Sequence, residues 1–202
     1  MSQLTTSSLD LTKPRCPWCL GFEDYVHYHD TEWGVPVLDD PTLFEFLVLE
    51  SAQAGLSWST ILKKRQGYQK AFSDFDVEKV ALYSPEQTAL LLDNPEIVRN
   101  RLKIEATVQN ARQFLEVQAK YGSFRNFIWD YVDGKPIQNN WESMSQVPAT
   151  TKLSDQISKD LKKLGFKFLG STTLYAYLQA TGLVNDHLTS CFRHSELSLS
   201  SK

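Results

Sequence analysis

Apolar residues return at every third or fourth position over most of the chain. Leu43, Phe46 and Leu47 fall on one helical stripe, and Glu50 is the next position along it. A carboxylate there is either an edge residue or an acid aimed into a pocket. Gly55 is placed to end that helix and Leu56 to stand exposed at the tip of the turn. Ser57 can cap a second helix that opens with Trp58, runs to about Arg65 and buries Trp58, Ile61 and Leu62. Asp40-Pro41 reads as a helix start, with Asp as cap and Pro in the first turn. Ser84-Pro85-Glu86-Gln87 reads as a capping box. A long helix is predicted from about Arg101 to Tyr121 with Ile104, Val108, Ala111 and Leu115 on one side. Another is marked by Phe124, Phe127, Ile128 and Tyr131. Residues 133–151, with Gly134, Pro136, Asn139, Asn140 and Pro148, form the clearest loop. Beyond it Ser154 can cap a helix carrying Ile157, Leu161 and Leu164. Gly165–Gly170 interrupts, and Leu174, Tyr177, Leu178 and Leu183 resume the helical pattern. No segment sustains period-two alternation rich in Val, Ile or Thr, and no internal repeat is present. The pattern predicts an all-α protein.

A chain of 202 residues can build one sizeable core or two small lobes. The Ser/Thr-rich residues 1–13 are expected to be a disordered leader and residues 195–202 a flexible tail, leaving 14–194 as the folded domain. Pro14–Val37 carries Trp18, Tyr25, Tyr28 and Trp33 with little periodicity, and reads as a structured, aromatic-lined loop with one short helix. No apolar run approaches membrane-spanning length and the polar N-terminus is not a signal peptide, so a cytoplasmic protein without membrane contact is expected. The net charge of −3 argues against a surface that is basic throughout, as general nucleic-acid binders tend to have. It leaves room for local basic faces at Lys63-Lys64-Arg65, at Arg99, Arg101 and Lys103, and at Lys162, Lys163 and Lys167. Their plain reading is solvated helix faces.

Three constellations could carry chemistry. Three Cys cannot pair fully, which turns attention to metal ligation. Cys16 and His29 near the start would join His187 and Cys191 near the end, a closed two-Cys, two-His zinc set that ties the chain ends across a long loop. Cys16-Pro17-Trp18-Cys19 also reads as a redox motif, though without a strand-helix-strand context. Cys19, His27 and His194 could substitute as ligands, and the histidines could be ordinary core or surface residues. The turn Gly165–Gly170, flanked by Lys162, Lys163 and Lys167, could present backbone N–H groups and a helix N-terminus to a phosphate, or be a simple connector. Trp58, Trp18, Tyr25 and Tyr28 could stack on a flat ring with Glu50 on its edge, or Trp58 could be core and Glu50 a surface acid. No P-loop or Rossmann glycine pattern and no convincing Ser/His/Asp arrangement is present.

Four blocks carry a resemblance: Tyr28-His29-Asp30-Thr31-Glu32-Trp33-Gly34-Val35-Pro36, Gln53-Ala54-Gly55-Leu56-Ser57-Trp58, Gly165-Phe166-Lys167-Phe168-Leu169-Gly170 and Gly182-Leu183-Val184-Asn185-Asp186-His187. In the same order, over about Arg15 to Cys191, they resemble DNA-3-methyladenine glycosylase I, a family of the helix-hairpin-helix DNA glycosylases. The resemblance implies two helical lobes around a cleft and one structural zinc ion joining the chain ends through Cys16, His29, His187 and Cys191, with Cys19 a spare thiol. It implies a base pocket of Glu50, Trp18, Tyr25, Tyr28 and Trp58, with Glu50 as the catalytic acid and the four aromatic residues binding the base. It further implies a DNA-inserting turn at Gly55 and Leu56, and phosphate binding through Gly165, Lys167 and Gly170. The wider superfamily carries a catalytic Asp just before a position like His187; matching the histidines puts Asn185 there, with Asp186 beside it. The activity so implied is monofunctional: a monomer flips 3-methyladenine out of alkylated duplex DNA and excises it hydrolytically, leaving an abasic site. A zinc-stabilised DNA-binding module without catalysis is the competing reading. A zinc hydrolase is a third, and would need an open coordination position.

Overall fold

The computed structural model describes residues 12–199, so nearly all of the expected leader and the last three residues lie outside the described part. Among the described residues ten α-helices follow one another: α1 Glu23–Thr31, α2 Asp40–Gln53, α3 Trp58–Ala71, α4 Val77–Ala81, α5 Pro85–Leu90, α6 Arg101–Tyr121, α7 Phe124–Asp130, α8 Lys152–Lys163, α9 Ser171–Ala180 and α10 Phe192–Leu199. About 63% of the described residues are helical and 2% strand, so the all-α expectation holds. The strands β1 (Ile137–Gln138) and β2 (Val184–Asn185) form one short parallel pair. At two residues each they are too short to leave an alternating pattern in the sequence.

The helix starts follow the expected chemistry, with some shifts of register. Asp39, not Asp40, caps α2 by accepting the Thr42 N–H at 2.9 Å. Asp40 instead accepts the Phe124 and Arg125 N–H groups at 2.8 and 2.7 Å, joining the start of α2 to that of α7. Ser57 caps α3, and Ser84 with Gln87 forms the capping box of α5. Thr151 caps α8, with Ser154 as its reciprocal partner rather than the cap itself. On α6 the deepest residue of its last turns is Phe114, whereas Leu115 is only half-buried. Two predicted ends move. The second helix continues past Arg65 to Ala71, and Leu183 lies beyond the end of α9. The tail from Ser195 is not loose as far as Leu199, because α10 spans it and buries Leu197.

The middle of the chain is organised on α2, which packs against α3, α6, α7 and α9. Its residues 46–52 are all buried, Glu50 included. One apolar core joins it to Phe114, Phe124, Leu174, Tyr177 and Leu178. A smaller cluster at the two chain ends holds Cys16, Leu188 and Cys191, with Trp18, Trp141, Val147 and Phe192 against it. Between the two lies the cleft.

A candidate base pocket backed by a metal quartet

A cavity of about 320 Å³ opens where α1 and its preceding turn, the ends of α2 and α3, residues 144–149 and one face of α9 meet. Trp18, Tyr25, Tyr28, Glu50 and Trp58, scattered in sequence, all line it. The turn after α2 sets the angle between the acid and the indole. Ala54 (φ −43°, ψ 114°) and Gly55 (φ +79°) lie close to a type II turn, closed by the Leu56 N–H donating to Gln53 O at 2.6 Å. Position 55 therefore needs glycine. Leu56 stands 41% exposed at the tip, as its place in the sequence predicts.

Glu50 is 3% exposed, and its Oε2 has no hydrogen-bond partner. Burial alone pushes its carboxyl up to about 8. The Tyr28 hydroxyl and Trp58 Nε1 are likewise buried and unpartnered, and the two rings lie 5.3 Å apart. The Tyr28 phenol is pushed well above its usual range by burial and then by Glu50. Buried polar atoms are nearly always paired, so three unpaired ones on one cavity make it the candidate ligand site.

The second carboxylate of the cavity is treated in the opposite way. Asp186 accepts from Asn139 Nδ2 (2.6 Å) and Trp141 Nε1 (2.8 Å) on Oδ1, and from the Tyr175 hydroxyl and Gln179 Nε2 (2.8 Å) on Oδ2. Sequence reasoning missed Trp33, Gln53, Tyr175 and Gln179 as lining residues, and left the direction of Asp186 open. Tyr175 and Gln179 sit four apart on α9, the one periodic signal that could have paired them.

Cys16, His29, His187 and Cys191 come together behind this pocket, all buried, with their ligand atoms within 4.8 Å of one another. Cys191 Sγ lies 3.4 Å from His29 Nε2 and 3.5 Å from His187 Nδ1, and Cys16 Sγ lies 3.7 Å from His187 Nδ1. Tetrahedral bonds of about 2.0–2.3 Å to one ion put ligand atoms roughly 3.3–3.8 Å apart, a spacing these three contacts already have, so the residues could hold such a metal. The outer partners fit as well. His29 Nδ1 donates to Asp30 (2.8 Å), which Arg15 clamps at 2.7 Å, and His187 Nε2 donates to Trp33 O (3.0 Å). Burial lowers His187, favouring the neutral ligand form. The Cys191 thiol is held far below its usual range, first by the Cys16 thiol and then, against burial, by the two imidazoles; Cys16 is raised by the same bond and by burial. Cys19 stays outside the quartet and donates to Cys16 O at 3.2 Å. His194 bonds Asn139 O, and His27 is exposed. Trp18 lies 5.3 Å from His29 and 4.9 Å from Trp33, whose ring is 4.6 Å from His187, so the quartet holds the aromatic wall of the cavity.

The turn before α9 differs in part from its expected form. The Gly165 N–H is taken by Lys162 O and the Lys167 N–H by Asn110 Oδ1, so neither backbone group is free for an anion. Asn110, a buried polar residue of α6 that sequence reasoning did not single out, also donates to Lys167 O. What faces outward is the Lys167 side chain, Phe168 at φ +57°, and the opening of α9 at Gly170, which has no side-chain cap. Of the other basic groups, Arg65 turns to Glu32 and Glu45 (2.6 and 2.7 Å), and Lys64 donates to Pro95 O. Lys103 donates to Ala52 O and Ala54 O, while Arg99, Arg101, Lys162 and Lys163 remain exposed.

This helical fold is that of solved 3-methyladenine DNA glycosylases. A crystal structure of 3-methyladenine DNA glycosylase I superposes with a TM-score of 0.87 at 46% identity, covering 89% of this chain and 98% of that one. A tyrosine-to-phenylalanine variant of such an enzyme in complex with 3-methyladenine gives 0.86 at 43% identity, with 88% and 96% covered. The chain belongs to the methyladenine glycosylase family, whose sequence profile matches residues 18–194. The DNA-3-methyladenine glycosylase of Haemophilus influenzae is 45% identical over 177 residues, 88% of this chain and 96% of that protein.

Proposed function

We propose that this protein excises 3-methyladenine from alkylated duplex DNA as a monofunctional glycosylase. The observation that carries the reading is the cavity of about 320 Å³ in which Glu50, Tyr28 and Trp58 each bury a polar atom without a partner. That size lies at the small end of ligand pockets, about 300–1,000 Å³, and suits one flipped base. A relative in the same fold holds 3-methyladenine.

Methylation at N3 makes the purine cationic and a good leaving group. Trp58, with Trp18 and Tyr25, holds the ring by stacking, worth about 1–3 kcal/mol per base. Glu50 meets the cation as a carboxylate: a positive charge beside it favours ionisation, whereas burial by itself pushes its carboxyl up to about 8. Tyr28 orients the same edge. Neutral adenine gains nothing from that charge, which supplies discrimination. Leu56, presented by the Gly55 turn, fills the gap left in the duplex. Lys167 and the opening of α9 at Gly170 contact the phosphate backbone, with Gly165 shaping the turn. The C1′–N9 bond breaks with its electron pair going to the ring, which leaves neutral. A water oxygen bonds C1′ and its proton is released, giving an abasic site.

Cys16, His29, His187 and Cys191 would hold one zinc ion, which supplies no catalytic step because four protein ligands leave no open position. Among the described residues no helix is long and apolar enough to cross a membrane. A cytoplasmic monomer acting on duplex DNA is the setting proposed. The test is base release from methylated DNA, with released bases separated by chromatography. The expected result is free 3-methyladenine and heat-labile abasic sites. Binding of damaged duplex without release would make the protein a recognition module instead.

A further inference from the structure

Lys103 stands in the first turn of α6, where a basic side chain would ordinarily reach solvent. Instead its ammonium crosses to the end of α2, donating to Ala52 O at 2.8 Å and to Ala54 O at 2.6 Å. Its own main chain is fixed on both sides. The Lys103 N–H donates to Asn100 Oδ1 at 3.1 Å, and its carbonyl accepts from Thr107 Oγ1 at 3.0 Å. Local electrostatics do not favour this placement, since the N-terminus of α6 is the positive end of its dipole and burial lowers the amine.

The placement answers a need at α2. The last four carbonyls of a helix lack partners within it, and the last turn of α2 carries no basic residue of its own. Here Gln53 O accepts the Leu56 N–H, which closes the turn, and Lys103 holds the carbonyls on either side of it. Beyond Leu56 the turn is open: a Cβ on Gly55 would meet nothing within 4 Å. With Gly55 open and Leu56 41% exposed, the bonds to the inner carbonyls carry much of the tip's fixing.

We propose that Lys103 is a positioning residue for base extrusion, fixing through Ala52 and Ala54 the turn that presents Leu56. The proposal rests on the reading that Gly55 and Leu56 enter the duplex. Glu50, one turn earlier and flanked by buried residues of α2, and Trp58, itself buried and packed against Tyr28, are held by the core without the lysine. Extrusion and base binding are therefore separable.

The test compares Lys103→Met and Lys103→Arg with wild type in two assays: single-turnover excision at saturating enzyme, and binding of free 3-methyladenine followed by tryptophan fluorescence. Lys103→Met is expected to lose about tenfold or more in the saturated rate, since a misplacement of 1 Å can cost about a hundredfold. It should bind the free base as wild type does, and Lys103→Arg should recover most of the rate. On a Leu56→Ala background Lys103→Met should add little, because both changes act through one side chain. A wild-type saturated rate for Lys103→Met, or an undiminished loss on the Leu56→Ala background, overturns the proposal. So does a loss confined to DNA affinity with a flatter salt dependence, which marks a phosphate contact. If Lys103→Met fails to melt cooperatively, the same cycle is run with Lys103→Gln, whose shorter neutral side chain keeps a donor but gives up the bond to at least one of the two carbonyls. Full activity of Leu56→Ala would instead overturn the wedge reading itself.

Discussion

Replacing Glu50 by Gln separates the two consequences of burying an acid without a partner. The wild-type carboxyl rises from 4.5 to about 8 through desolvation. Between those values the native state binds more protons than the unfolded chain, so stability must fall as pH rises through that window. The rise corresponds to about 5 kcal/mol above pH 8, a ceiling because the cavity opens to water. For a chain of this size about 1 kcal/mol moves Tm by roughly 2–4 °C, so the ceiling is about 10–20 °C. Glutamine does not titrate. The melting temperature of Glu50→Gln minus that of wild type should therefore widen from pH 5 to about pH 8 and then level off, by at most about 10–20 °C. Other titrating groups are common to both proteins and cancel in the difference. The same variant should lose most excision of 3-methyladenine while holding its metal. For wild type, kcat/KM should rise through about pH 8 as the free enzyme ionises. Parallel melting curves across the range would refute the reasoning, because they would mean that the carboxyl is not desolvated in solution.

Three further outcomes follow from the same geometry. Cys191→Ser, or prolonged chelation, should remove zinc, measured by elemental analysis, and with it cooperative melting, because the quartet carries the aromatic wall of the cavity. Gly55→Ala has room for its methyl but must adopt φ +79°, so it should lower stability by about 1–2 kcal/mol in denaturant titration and slow excision. Asp186→Asn turns an amide toward groups that already donate, and should cost about 1–3 kcal/mol in the same titration.

The helices were legible because each is written in local chemistry. The Ser57 cap, the Gly55 turn and the Ser84–Gln87 box each need only four neighbouring residues. Errors arose where a distant partner decided the role. Asp40 sits beside a proline like a cap, yet it serves the start of α7. Lys103 belongs to a charged run, yet it serves the end of α2. The Gly165 and Lys167 N–H groups suited an anion until Lys162 O and Asn110 claimed them. Spacing alone left the metal ligands ambiguous among Cys19, His27 and His194. Only the fold gathers four ligand atoms and turns the other candidates away.

Two carboxylates line one cavity, and their partners decide which is available to a base. A carboxylate offers about four acceptor positions. Asp186 has four donors on its two oxygens, so its charge is spent on holding β2, α9 and the loop at Trp141 together. A ligand reaching it would have to displace a bond already made. Glu50 has no donor on its buried oxygen and bears the full desolvation of its site. Any cation that enters therefore gains most at Glu50, where it relieves an existing penalty and breaks nothing. Asp186, next to His187 in the chain, is committed to structural bonds, and the acid on the apolar stripe of α2 is left free for the role proposed for it.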